Sequence, residues 1–183
     1  MDEMQASALF AQLVAGLLYL HTQGVMHRDL SLSNVLLTSC AALPNGGPRQ
    51  QFAVKIADFG LAVQLSADDA CATTMCGTPN YISPEIVARE KPYGLASDLW
   101  SLGCLLFSLL SGEAPFESNT IDTTLARVGR ADYSFPSSIS PTARDLISRL
   151  LQKNPEDRID LLRAFLQAAP PAAHSMPSAS GAC

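Results

Sequence analysis

Basic charge is scarce in this chain: 12 Lys and Arg stand against 17 Asp and Glu, a formal net charge of −5. That balance argues against a nucleic-acid-binding surface, and no nucleic-acid partner is expected. Paired cysteine motifs are missing as well. Cys40, Cys71, Cys76, Cys104 and Cys183 make an odd set with no C-x-x-C spacing. Neither a disulfide framework nor a zinc site is expected, which fits a reducing, intracellular and cytoplasmic setting. No basic leader is expected, since the chain opens Met1-Asp2-Glu3, acidic where a signal peptide is basic. The longest apolar run, Leu102 to Leu110, is too short to span a bilayer, so no membrane partner is expected. No internal repeat is found. What remains is a chain of 183 residues, enough for one domain with a hydrophobic core.

Periodicity predicts a mostly α fold with a small β-hairpin. A helix is expected over 2–22, with Asp2 as N-cap, Leu9, Leu13, Leu17 and Leu20 on one face, and Gly24 closing it. Short strands are expected at Val35 to Thr38 and Phe52 to Ala57. The turn residues Leu43 to Pro48 lie between them as a lengthened surface loop. A mobile segment with Asp68, Asp69, Thr73 and Thr74 precedes a short helix at Pro84 to Arg89. Residues 96–111 read as a buried central helix, apolar on nearly every face and stopped by Gly112 and Pro115. Further helices are expected over Ser118 to Arg130, from Ser140-Pro141 through Ala143 to Gln152, and from Asp160 to about Gln167. Residues 1–167 are expected to form the domain. Residues 168–183, rich in Ala, Pro and Ser, form a tail with no apolar face to bury, expected to be disordered.

The chemistry is concentrated in an ordered set of motifs. His27-Arg28-Asp29-Leu30-Ser31-Leu32-Ser33-Asn34 has the form H-R-D-L-x-x-x-N. Asp58-Phe59-Gly60 follows an apolar run, then come Gly77-Thr78-Pro79-Asn80-Tyr81, Ser83-Pro84-Glu85, Asp98-Leu99-Trp100-Ser101-Leu102-Gly103 and Arg158. In this order they resemble the C-terminal lobe of a eukaryotic protein kinase, over about Asp2 to Arg163. Within that superfamily, Arg28 to Asn34 and Cys76 to Glu85 resemble the polo-like kinases, in the branch that controls centriole duplication.

The resemblance implies a protein serine/threonine kinase that transfers the γ-phosphoryl of MgATP to a protein substrate. Asp29 would accept the proton of the incoming hydroxyl, and Asn34 and Asp58 would hold magnesium and bind the nucleotide. Leu36 would floor the adenine, supported by Leu105 and Leu109, and so be core as well as floor. Arg28 would pair with a phosphate on Thr74, the activating position, with Thr73 as its neighbour. Thr78 would reach toward Asp29 in the substrate segment. The structural roles fall to His27 against Phe59, to Glu85 paired with Arg158, and to Asp98 beneath the catalytic loop. His21 reads as structural or solvated.

Two departures matter. Ser31 stands where most serine/threonine kinases carry a Lys, and Ser33 where basic-substrate kinases often carry an acid, so no strong preference for upstream Arg is expected. The residues of an N-terminal lobe, namely a G-x-G-x-x-G loop, a V-A-I-K strand and its paired Glu, are missing from the 183 residues, and so is a polo-box region. The expectation is therefore a partial kinase domain, inactive alone. The alternative is a catalytically silent half-kinase that serves as an interaction module.

Overall fold

The computed structural model describes residues 2–39, 52–65, 72–89 and 92–168. The Leu43 to Pro48 loop, Asp68 and Asp69, Cys40, Cys71 and Cys183, and the tail from 169 lie outside the described residues.

Helix α1 spans Glu3–Thr22. The Asp2 carboxylate accepts the Gln5 N–H at 2.7 Å, satisfying one of the free donors of the first turn. The helix is left through Gly24 at φ 68, where a Cβ would also meet the Leu65 carbonyl at 3.1 Å. By length and a mean hydropathy of 1.2, α1 could cross a bilayer, whereas the apolar run at Leu102 could not. In this fold Phe10, Leu13, Val14 and Leu17 are instead buried in the core.

Strand β1 (Val25–Met26) pairs antiparallel with β4 (Val63–Gln64), and both are too short to show any alternation in sequence. Between them β2 (Val35–Ser39) and β3 (Phe52–Ile56) form the expected antiparallel hairpin, in register from Val35 opposite Ile56 to Ser39 opposite Phe52. The β3 strand stops one residue short of Ala57, whose N–H turns aside to the Asn34 carbonyl at 2.9 Å. Val35, Val54 and Ile56 pack on the core, while Leu36 faces away and is 53% exposed. Leu36 is therefore not core, and that part of the expectation is corrected. Strand alternation turns it to the opposite face from Val35.

Helix α2 (Pro84–Ala88) leads to α3 (Ala96–Ser111), which has eleven of its sixteen residues buried and runs through the centre. It is crossed so closely by α5 (Pro141–Leu150) that a Cβ on Gly103 would lie 2.9 Å from both Leu150 Cβ and Leu151 Cδ2. Helix α4 (Ile121–Arg130) begins later than Ser118. Thr120 is its cap, accepting the Thr123 N–H at 3.2 Å, whereas the Ser118 hydroxyl is engaged with the Thr120 carbonyl. Helix α6 (Leu161–Ala168) is capped by Asp160 and takes in Ala168, a residue the sequence reading assigned to the tail. Trp100 stacks on Phe116 at 5.2 Å, and Tyr133 and Phe135 continue this aromatic cluster, which the apolar periodicities did not reveal.

Candidate active site

The loop between β1 and β2 owes its shape to one buried carboxylate. Asp98, in the first turn of α3, is fully buried. Its Oδ2 accepts the His27 N–H at 2.9 Å and its Oδ1 the Arg28 N–H at 3.0 Å. His21 Nε2 lies 3.0 Å from the same Oδ2, so His21 belongs to this knot and is not solvated. Arg28 has φ 68, a conformation that costs a side-chain-bearing residue about 1 kcal/mol or more and persists only when surrounding contacts impose it. The two bonds to Asp98 impose it.

His27 is used up by structure. Its Nδ1 receives the Asp29 N–H at 3.3 Å and its Nε2 lies 3.1 Å from the Ala57 carbonyl. One nitrogen accepts and the other donates, which assigns a neutral ring with its proton on Nε2. Phe59 meets that ring edge-on at 5.1 Å.

Asp29 is held by three donors. The Thr78 hydroxyl (2.6 Å) and the Thr78 N–H (2.8 Å) both donate to Oδ1, and Asn34 Nδ2 donates to Oδ2 at 3.1 Å. Asn34 Nδ2 also donates to the Asp29 carbonyl at 2.8 Å, which fixes the amide with its oxygen turned the other way. The close approach of the Thr78 segment depends on Gly77, at φ 108, where a Cβ would sit 2.7 Å from the Arg28 carbonyl. Asp58 is exposed, has φ 60, and accepts the Gly60 N–H on Oδ1 at 3.1 Å. The Ser31 hydroxyl is buried against Ser33 at 2.8 Å, so a neutral pair occupies the place of the usual Lys.

The segment carrying Thr74 is pinned by a residue that the motif reading passed over. Tyr93 pairs with Ala72 through backbone bonds at 2.7 and 2.9 Å, and its hydroxyl donates to the Thr74 carbonyl at 2.5 Å. The Arg28 guanidinium faces the same hydroxyl, and Arg28 Nε donates to the Leu61 carbonyl at 2.5 Å. Burial, the largest influence, pushes the Tyr93 phenol above its ordinary value. Arg28 and the Thr74 backbone thus both act at the Tyr93 hydroxyl, with the Thr74 side chain exposed. A signal for Tyr93 existed in its place five residues before Asp98, the carboxylate that orders the loop. Farther down, Arg158 donates to both oxygens of Glu85, at 2.7 and 2.6 Å, and to the Ala96 carbonyl at 2.7 Å. Its guanidinium lies over Trp100 at 5.3 Å.

Residues 1–168 match the family model of the protein kinase domain. The chain belongs to the protein kinase family. Its curated relatives include the serine/threonine-protein kinase PLK4 of Nematostella vectensis, 50% identical over 161 residues, which is 88% of this chain and 15% of that protein. PLK4 of Drosophila grimshawi is 51% identical over 159 residues, 87% of this chain and 19% of its own length. PLK4 of Drosophila melanogaster is 46% identical over 181 residues, 97% and 22% respectively. This kinase chain therefore matches polo-like kinases over nearly all of its own length and spans only 15–22% of theirs.

The kinase site fits magnesium by its donor chemistry. The Asn34 amide oxygen receives no hydrogen bond among the described residues, and the Asp58 carboxylate is exposed with only Oδ1 engaged. Among the described residues no group of three or more His, Cys, Asp or Glu could hold a metal alone. Two hard oxygen donors without a protein cage suit an ion that completes its shell with water and phosphates.

Proposed function

We propose that residues 2–168 are the C-terminal lobe of a serine/threonine kinase that transfers the γ-phosphoryl of MgATP to a protein Ser or Thr. We further propose an intracellular role allied to centriole duplication. The observation that carries the reading is the grip on Asp29. A carboxylate offers about four lone-pair positions. Thr78 occupies two on Oδ1 and Asn34 one on Oδ2, which leaves Oδ2 one position for a substrate hydroxyl. Asp29 is thus the proton acceptor, and Thr78 and Asn34 position it.

Asn34 and Asp58 would hold magnesium, whose charge neutralises the nucleotide phosphates when it is bound. Leu36, half exposed on the outer face of the hairpin, would meet the adenine. Leu37, Phe59 and Leu61 are exposed beside these segments, at 51, 48 and 37%. An apolar surface of this kind suits a covering lobe that carries the glycine-rich loop and its Lys.

The test is phosphoryl transfer by residues 1–183 joined to a polo-like N-terminal lobe, beside 1–183 alone. Asp29→Asn should lower turnover by about 10²–10⁴-fold, and Thr78→Ala should lower it less while substrate binding holds. Near-normal turnover of Asp29→Asn would remove the assignment. Turnover by 1–183 alone, equal to that of the joined protein, would remove the lobe reading.

A further inference from the structure

Outside the site already described, Arg89 is a cation poorly used among the described residues. Arg89 ends α2 in the left-handed region at φ 55, its N–H bonded to the Glu85 carbonyl, and its side chain is exposed. The guanidinium has no carboxylate partner among the described residues. It rests on the Met75 thioether, with Nε at 3.1 Å and Nη2 at 2.6 Å from Sδ. A thioether is a weak acceptor, so this contact is easily exchanged for a charged one. Met75 follows Thr74 directly, and the side chains of Thr73 and Thr74 are both exposed and free of hydrogen bonds among the described residues. Arg28 also lacks a carboxylate partner among the described residues; its Nε donates to the Leu61 carbonyl, and its charge acts on the Tyr93 phenol whose hydroxyl holds the Thr74 carbonyl. Two guanidinium groups without a carboxylate partner among the described residues therefore reach the segment that carries Thr74, Arg89 at Met75 and Arg28 by way of Tyr93.

We infer that Arg89 is a second cation for a phosphate on Thr74, closing over it from α2 while Arg28 holds it from the catalytic loop. The inference rests on the reading of Thr74 as a phosphorylation site and adds a clamp to it. A phosphate carries about −1.5 to −2 charges, more than one guanidinium neutralises. Arg89 offers two or more donors in fork geometry that suits its oxygens. Exchange of Met75 Sδ for the phosphate ties the end of α2 to the segment, so the clamp orders both.

The experiment installs phosphothreonine at position 74 during translation and reads the gain in melting temperature over the unmodified chain, at low and at high salt. The parent should gain several degrees at low salt and less at high salt. Arg89→Ala should remove about 1–4 °C of that gain, Arg89→Lys should remove less, and Arg28→Ala should remove a separate share. Met75→Leu keeps the packing volume and should leave the Arg89-dependent gain intact. A gain that Arg28→Ala abolishes and Arg89→Ala leaves untouched overturns the clamp and spares the Thr74 reading. No gain in the parent sinks both. An Arg89-dependent gain seen with phosphothreonine at position 73 and not at 74, or one that Met75→Leu abolishes, also overturns the assignment.

Discussion

Replacing Asp98 by Asn changes one atom at the centre of the catalytic loop, and the structure sets the cost. The carboxylate accepts from the His27 and Arg28 N–H groups and lies against His21. An amide has one oxygen, so whichever way it turns, its NH₂ faces a backbone N–H. The milder orientation turns the NH₂ toward Arg28 and keeps the oxygen for His27 and His21. One hydrogen bond worth about 1 kcal/mol is lost, and the stranded Arg28 N–H adds about 1–2 kcal/mol. The sum is about 2–3 kcal/mol. For a chain of this size each kcal/mol moves the melting temperature by about 2–4 °C, so a fall of roughly 4–12 °C is expected. Circular dichroism melts provide the measurement, with amide exchange at Arg28 as the local readout. His21→Ala leaves both backbone bonds in place and should cost well under half as much. The reasoning is refuted if Asp98→Asn melts with the parent, or if His21→Ala is equally damaging.

Arg158→Ala should destabilise by about 3–5 kcal/mol in urea unfolding, because Glu85 loses its only ion-pair partner among the described residues. The double replacement of Arg158 by Met and Glu85 by Leu should recover much of that loss, and failure to recover would locate the cost in packing on Trp100. Gly103→Ala should cost about 1–3 kcal/mol, since α3 and α5 must move apart to admit the methyl group; a neutral result in the same assay would show that the crossing yields freely. Hydrogen bonds from Gln167 and then Arg149 hold the Asp145 carboxyl below its ordinary value of 3.8. A lowered folded value means the contribution is present above 3.8 and is lost as pH falls through the folded value. The melting curves of the parent and Asp145→Ala should therefore differ near neutrality and converge in acid.

The long helices were legible because each carries its own period and punctuation: Asp2 and Gly24 around α1, Ser140-Pro141 before α5, Gly112 after α3. The contacts His27 with Phe59, Thr78 with Asp29, and Glu85 with Arg158 were legible for a different reason. Ordered motifs place residues that local spacing alone would never join. Arg89 and His21 were not, because each acts through a tertiary contact to a residue 14 or 77 positions away and belongs to no motif; Tyr93 was passed over although it stands five residues before Asp98. Leu36 was misjudged as core since an apolar residue on a two-residue alternation has two faces to choose from, and only the sheet's docking decides.

The Glu85–Arg158 pair also has a direction in time. The two residues are 73 positions apart, and Glu85 is made first. At about 5–20 residues per second, synthesis reaches Arg158 some 4–15 s later. Throughout that interval α2 and the segment before it carry an acidic group whose buried seat does not exist, while the residues of α1 and both short sheets are already made and those of α3 follow within it. The segment that presents Thr74 and Thr78 is thus among the last parts of the chain to lock. A ribosome that stalls before Arg158 leaves a product with an assembled catalytic loop and an unanchored end beside it, the form on which a chaperone or a protease would act first.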